Sequence, residues 1–153
     1  SGDIRVLKSR NISDDGKNVM DIDGYDSYIS YDDAKNLSVY SYLDCNNVYL
    51  TPNMTYKPRM IEKPKECLVN GSLAVLIPKK GIIPTKEQLA FFSTQEYRNF
   101  YQIARNFQTR SLNVDACSVF FYGLLRDKAK KSPITEKLDE KENIQITIFD
   151  YVK

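Results

Sequence analysis

Five prolines, at positions 52, 58, 64, 78 and 84, punctuate the middle of this chain and divide it into short pieces. Each fixes φ and lacks an N–H, so the section favours brief extended segments over helices. Arg59–Glu62 and Ser72–Ile77 are the predicted strands, and Asn70-Gly71 between apolar neighbours reads as a hairpin-type turn. Leu73-Ala74-Val75-Leu76-Ile77 is apolar at every position, which predicts a core strand covered on both faces. Pro78-Lys79-Lys80-Gly81 then makes an exposed basic turn.

The helical repeat is strongest after this section. Over 94–106, Ser93 with Glu96 three residues later has the pattern of a capping box. Tyr97, Phe100, Tyr101, Ala104 and Phe107 follow the helical spacing and are expected to form one buried face. Arg98, Asn99, Gln102, Arg105 and Asn106 fall mostly on the other. A polar loop, Asn106–Asn113, follows, and Cys117–Leu125 reads as a buried strand.

Upstream, Ile4–Leu7 reads as a strand, and the polar stretch Lys8–Lys17 carries an Asp15-Gly16 turn signal. In the Asp-, Tyr- and Ser-rich section 20–44, either Asp32 or Asp33 caps a short helix bearing Ala34, Leu37, Val39 and Tyr42, or the section is an ordered loop. Val48–Thr51 is a strand closed by Pro52-Asn53. Residues 126–143 form a polar excursion, and the alternation of Ile144, Ile146 and Ile148 predicts a closing strand. The fold class that results is α+β: one domain over 1–153, with a mixed sheet of several short strands and one dominant helix near 94–106.

Composition narrows the chemistry. The chain has 153 residues, is 42% hydrophobic and 27% charged, and contains no apolar run near the ~20 residues that span a bilayer. A cytoplasmic protein is the expectation. It opens Ser-Gly-Asp without an initiator Met, which suggests a segment of a longer protein or residues left by cloning. No histidine is present, which removes Ser-His and Cys-His nucleophile pairs and most general-base mechanisms. Cys45, Cys67 and Cys117 are scattered and odd in number, so reduced thiols are expected rather than a metal site.

The formal net charge is only +2, but it is unevenly spread. Residues 1–51 carry five basic and nine acidic side chains, residues 52–110 ten basic and four acidic, and residues 111–153 seven of each. The basic middle is either a patch or a set of scattered solvating lysines.

The side chains best suited to reading a polar template lie around the long helix. Arg clamps guanine, Asn and Gln pair with adenine, and Arg and Lys neutralise phosphates. The first candidate cluster is Arg105, Asn106, Gln108, Thr109, Arg110, Ser111 and Asn113; the second is Lys8, Ser9, Arg10 and Asn11. Tyr56, Lys57 and Arg59, with Lys79 and Lys80, are candidates for contacts to a nucleic-acid backbone. The alternative for the first cluster is a helix end whose Arg and Asn cap carbonyls. For the lysines it is ordinary solubility, and for Arg10-Asn11 it is a turn.

These stretches resemble a family. Gly2-Asp3 followed by Ile4-Arg5-Val6-Leu7-Lys8-Ser9-Arg10-Asn11-Ile12 looks like the opening strand and turn of target recognition domains. Such domains occur in specificity subunits of type I restriction-modification systems and in related type II adenine-N6 DNA methyltransferases. Gln108-Thr109-Arg110-Ser111-Leu112-Asn113-Val114-Asp115 resembles the stretch where they leave the DNA-reading helix and loop. Tyr49-Leu50-Thr51-Pro52 and Val69–Ile77 sit where the family has central strands. The resemblance covers most of residues 1–125. Residues 126–153 do not look like the spacer helices of type I subunits, which favours a type II methyltransferase or a fused restriction-modification protein.

What the resemblance implies is sequence-specific binding of duplex DNA on behalf of a methyltransferase catalytic domain or subunit. In that family methyl transfer uses an Asn/Asp-Pro-Pro-Tyr/Phe motif on a separate domain, where the target base is flipped. This chain has no Pro-Pro and no glycine-rich cofactor loop after a strand. It is therefore expected to be non-catalytic, with S-adenosylmethionine bound only elsewhere. Two other readings compete. The acidic, tyrosine-rich section 21–44 suits a protein-interaction surface, and Asp139-Glu140-Lys141, with Asp115 or Asp127, suits a metal-dependent nuclease.

Overall fold

The computed structural model describes residues 3–104, 112–113, 122 and 149–152. The fold is α+β, as the sequence pattern implies. The first sheet joins β1 (Ile4–Leu7) to β2 (Ser27–Ile29), antiparallel, and to β6 (Cys67–Val69), parallel. The second runs in the order β5 (Ile61–Glu62), β3 (Tyr49–Pro52), β7 (Leu73–Pro78) and β9 (Phe149–Val152), all antiparallel. A two-stranded piece pairs β4 (Met54–Thr55) with β8 (Leu112–Asn113).

Strand alternation explains how these sheets stack. In β7, Ala74 and Leu76 join Tyr49, Met60, Phe92, Tyr97, Tyr101 and Tyr122 in one buried cluster. Leu73 and Val75 point the other way, packing with Leu50, Leu7, Ile12, Val48 and Val69 between the two sheets. A third cluster, Ile4, Leu68, Ala34 and Leu43, covers the outer face of the first sheet. The expectation that Leu73–Ile77 has both faces covered therefore holds, and the clusters stack in layers. Full burial of such aliphatic side chains is worth roughly 1.5–3 kcal/mol each.

The helices differ from expectation in instructive ways. α1 (Tyr31–Ala34) is one turn, and its cap is Ser30, whose hydroxyl accepts the Asp33 N–H, rather than Asp32 or Asp33. α2 (Lys86–Phe91) was not foreseen, although Thr85 and Gln88 form a reciprocal capping box at its start. The dominant helix, α3, spans Gln95–Ala104, and 105–106 lie outside the described residues. Thr94, not Ser93, caps it by accepting the Tyr97 N–H at 3.2 Å. Ser93 instead accepts the N–H of Met60, tying the helix entrance to the edge of β5. Tyr97 and Tyr101 are buried as predicted, whereas Phe100 is 44% exposed.

Two further readings change. Asn70-Gly71 is a turn but not a hairpin, because β6 belongs to the first sheet and β7 to the second. Of the predicted strand Arg59–Glu62, only Ile61–Glu62 pairs, while Arg59 and Met60 are buried side chains. The last strand described is Phe149–Val152; the predicted closing strand through Ile144, Ile146 and Ile148 lies outside the described residues, as do 126–143 and all of 117–125 except the buried Tyr122. Among the described residues no helix is long and apolar enough to cross a membrane.

Candidate nucleic-acid interface

β1 ends at Leu7 and the chain turns sharply through Ser9–Asn11. Asn11 closes that turn: its side-chain oxygen accepts the Lys8 N–H at 2.9 Å, and its amide donates to Met20 O and to Asp26 Oδ1. With 0% exposure and both ends of the amide committed, Asn11 serves the fold. Arg59 does the same on a larger scale. At 8% exposure its guanidinium donates to Ile12 O, Ser9 O, Lys57 O and Thr55 Oγ1. Asn11 and Arg59, both candidate contacts to nucleic acid, are thus buried and engaged by the fold's own hydrogen bonds. Burial pulls the Arg59 pKa down, and the nearby Asp14 carboxylate opposes that shift.

The consequence is geometric. Arg59 cross-ties the 8–12 turn to the 55–57 turn, and Arg98 of α3 adds bonds to Pro58 O and Asp14 O. Lys57 pairs with Asp14, and that hydrogen bond holds the Asp14 carboxyl below its ordinary range. Both partners are exposed, so the pair contributes only about 0–1 kcal/mol and is readily exchanged. Tyr56, beside it, is 65% exposed. Gly16 lets the 13–18 loop approach the segment that leads into α3: its φ is +69°, and a Cβ there would overlap Ser93 Oγ and meet Met60 O at 2.9 Å. A cleft of about 570 Å³ lies between this loop, β5 and α2, walled by Lys17, Met60, Glu62, Lys86 and Leu89.

Several predicted contact residues thus converge. Lys8, Ser9 and Arg10 share the turn that Arg59 holds against Tyr56 and Lys57. The backbone of Asn113 pairs with Met54, so the chain leaving the first candidate cluster returns to the same corner. Arg105, Asn106, Gln108, Thr109, Arg110 and Ser111 lie outside the described residues. Lys79 and Lys80 are exposed, but they follow the opposite end of β7 from Ser72, whose hydroxyl accepts the Ser9 N–H. At ~3.3 Å per residue that separation is roughly 20 Å. The lysine turn is a separate place.

Sequence reasoning missed Tyr25. Lys8 Nζ lies 4.5 Å and Arg10 Cζ 4.8 Å from the centre of its ring. Its only local signal was the preceding Asp23-Gly24, a turn in which Gly24 has φ +69°. The Asp26 carboxyl beside it is pushed up by desolvation, but hydrogen bonds from Asn11 and the Ile22 backbone, with Arg5, hold it below its ordinary range. Among the described residues no three His, Cys, Asp or Glu side chains cluster to hold a metal ion. Asp115, Asp127, Asp139, Glu140 and Lys141 are outside those residues. No protein-family model, curated protein or solved structure matches this chain.

Proposed function

We propose that the chain binds duplex DNA sequence-specifically and supplies target choice to a separate methyltransferase or restriction-modification catalytic domain, itself doing no chemistry. The observation that carries this reading is the cross-tied corner. One buried arginine gathers the 8–12 and 55–57 turns, and β4–β8 pairing sets Leu112–Asn113 beside Met54–Thr55 at the same corner. Positioning and base reading need such a rigid frame beneath exposed donors. The cofactor of methyl transfer, S-adenosylmethionine, would belong to the catalytic partner, in the cytoplasm.

The reading is tested with the intact chain and a pool of randomised duplexes over a salt series. The expected result is enrichment of one sequence class, with affinity falling as salt rises. Recovery of an unenriched pool at every salt concentration would reject it. A protein-interaction role has its own support in Tyr28, Tyr31 and Leu37, exposed in the acidic section. It is favoured if a partner protein binds where DNA does not.

A further inference from the structure

From the geometry at Tyr25 we infer that Lys8, Arg10 and Tyr25 form a prebuilt cradle for one phosphate group, in which Tyr25 is a positioning residue. The inference deepens the DNA-binding reading and rests on it for the source of the phosphate. Both cations sit on one ring, at 4.5 and 4.8 Å from its centre. Lys8 also donates one hydrogen bond to the Tyr25 carbonyl, which leaves two of its three donors. Arg10 is exposed and, among the described residues, makes no hydrogen bond or ion pair, so its planar fork is uncommitted.

What holds these cations decides what they can do. A carboxylate partner would neutralise each charge and compete with any incoming anion. An aromatic face orders a cation while leaving its charge and donors available. The Asp21 and Asp26 carboxylates have other partners: Arg5 binds Asp21 and one oxygen of Asp26, and Asn11 occupies the other. Asn11 also fixes the turn from which Lys8 and Arg10 project. Two ordered like charges are thus held side by side, the arrangement that a phosphate's several acceptor oxygens can bridge. Because the rotamers are already restricted, binding forfeits less side-chain freedom than at an unsupported lysine pair.

The experiment uses inorganic pyrophosphate and duplex DNA with the intact chain, Tyr25→Ala, Tyr25→Leu and Tyr25→Phe. Pyrophosphate is followed by NMR at the Lys8 and Arg10 resonances against chloride at matched ionic strength, with Lys79 and Lys80 as internal controls. The expected result is saturable shifts at Lys8 and Arg10 in the parent and in Tyr25→Phe, and affinity weaker by roughly tenfold in Tyr25→Ala and Tyr25→Leu. For duplex DNA the same two variants weaken binding with little change in salt slope, since both charges remain. That combination separates positioning from lost charge, and rescue by phenylalanine separates it from damage to the fold. Saturable pyrophosphate binding at Lys8 and Arg10 without duplex binding would keep the cradle and reject DNA as its source. Absence of shifts at Lys8 and Arg10, or a Tyr25→Phe variant as weak as Tyr25→Ala, would overturn the inference.

Discussion

Two short basic turns among the described residues are built in opposite ways. At Lys8–Arg10 the backbone is closed by Asn11, tied by Arg59 and Ser72, and its cations lie on Tyr25. At Lys79-Lys80, which follows β7, Gly81 at φ +83° and one bond from Ile82 N–H to Lys79 O shape the backbone. There, among the described residues, neither lysine side chain has a hydrogen-bond or ion-pair partner. Equal charge in the sequence therefore becomes ordered donors in one place and solvated chains in the other. Ordering a long cationic side chain costs up to about 1.5–2 kcal/mol, so a ligand meets a lower entropic barrier at the first turn.

The strongest way to break this contrast is to remove its fastener. Arg59→Leu should cost about 3–5 kcal/mol, because it strands the buried Ile12 carbonyl and removes the guanidinium's donors from Ser9 O, Lys57 O and Thr55 Oγ1. Lys79→Ala should change stability by less than about 0.5 kcal/mol. Urea denaturation of the two variants checks both, and a loss below 1 kcal/mol at Arg59 would mean the corner is held by something else.

Raising the pH probes the opposite, aromatic side of the second sheet. Burial, with Glu62 nearby, pushes the Tyr49 phenol up to about 12, and burial also raises Tyr97 and Tyr122. These groups stay neutral in the folded chain while the unfolded chain ionises near 10, so their stability contribution is complete below pH 10. For Tyr49 it is lost as pH rises from there through 12, by about 2 kcal/mol, and for Tyr97 and Tyr122 the loss extends to still higher pH. Tyrosinate absorbance should show a late fraction appearing together with unfolding, and full ionisation of a still-folded chain would contradict this.

A smaller effect is expected at Gly16, whose left-handed backbone and contact with Ser93 leave no room for a methyl group. Gly16→Ala should destabilise by roughly 1–3 kcal/mol and displace Ser93 from the Met60 N–H. Thermal melts of this variant beside Gly71→Ala, which has open space around it, give the comparison.

What the sequence made legible was whatever is written locally. Leu73–Ile77 is apolar on both faces, and Tyr97 and Tyr101 repeat at helical spacing, so β7 and α3 could be drawn before any coordinates. Thr85 and Gln88 carried a local signal for α2 that went unread behind Pro84. β6 was hidden because its partner, β1, lies about sixty residues earlier and the pairing is parallel. Arg59 is the sharpest case: by type it belongs in solvent, and only acceptors from separate turns make its burial favourable. Asn11 reads as a turn residue, and it is one, but nothing nearby announces Asp26 as its partner. Of the described candidate residues, Asn11 and Arg59 hold the corner, while Lys8 and Arg10 lie on the Tyr25 ring.

The most direct measurement of the central claim compares two double variants, Lys8→Ala/Arg10→Ala and Lys79→Ala/Lys80→Ala, for duplex binding over a salt series. If the ordered turn cradles one phosphate, the first pair should lower the slope of log affinity against log salt by about 1, at ~0.9 per phosphate neutralised, while the second leaves it nearly unchanged. An unchanged slope for Lys8→Ala/Arg10→Ala, or an equal loss from Lys79→Ala/Lys80→Ala, would contradict the account.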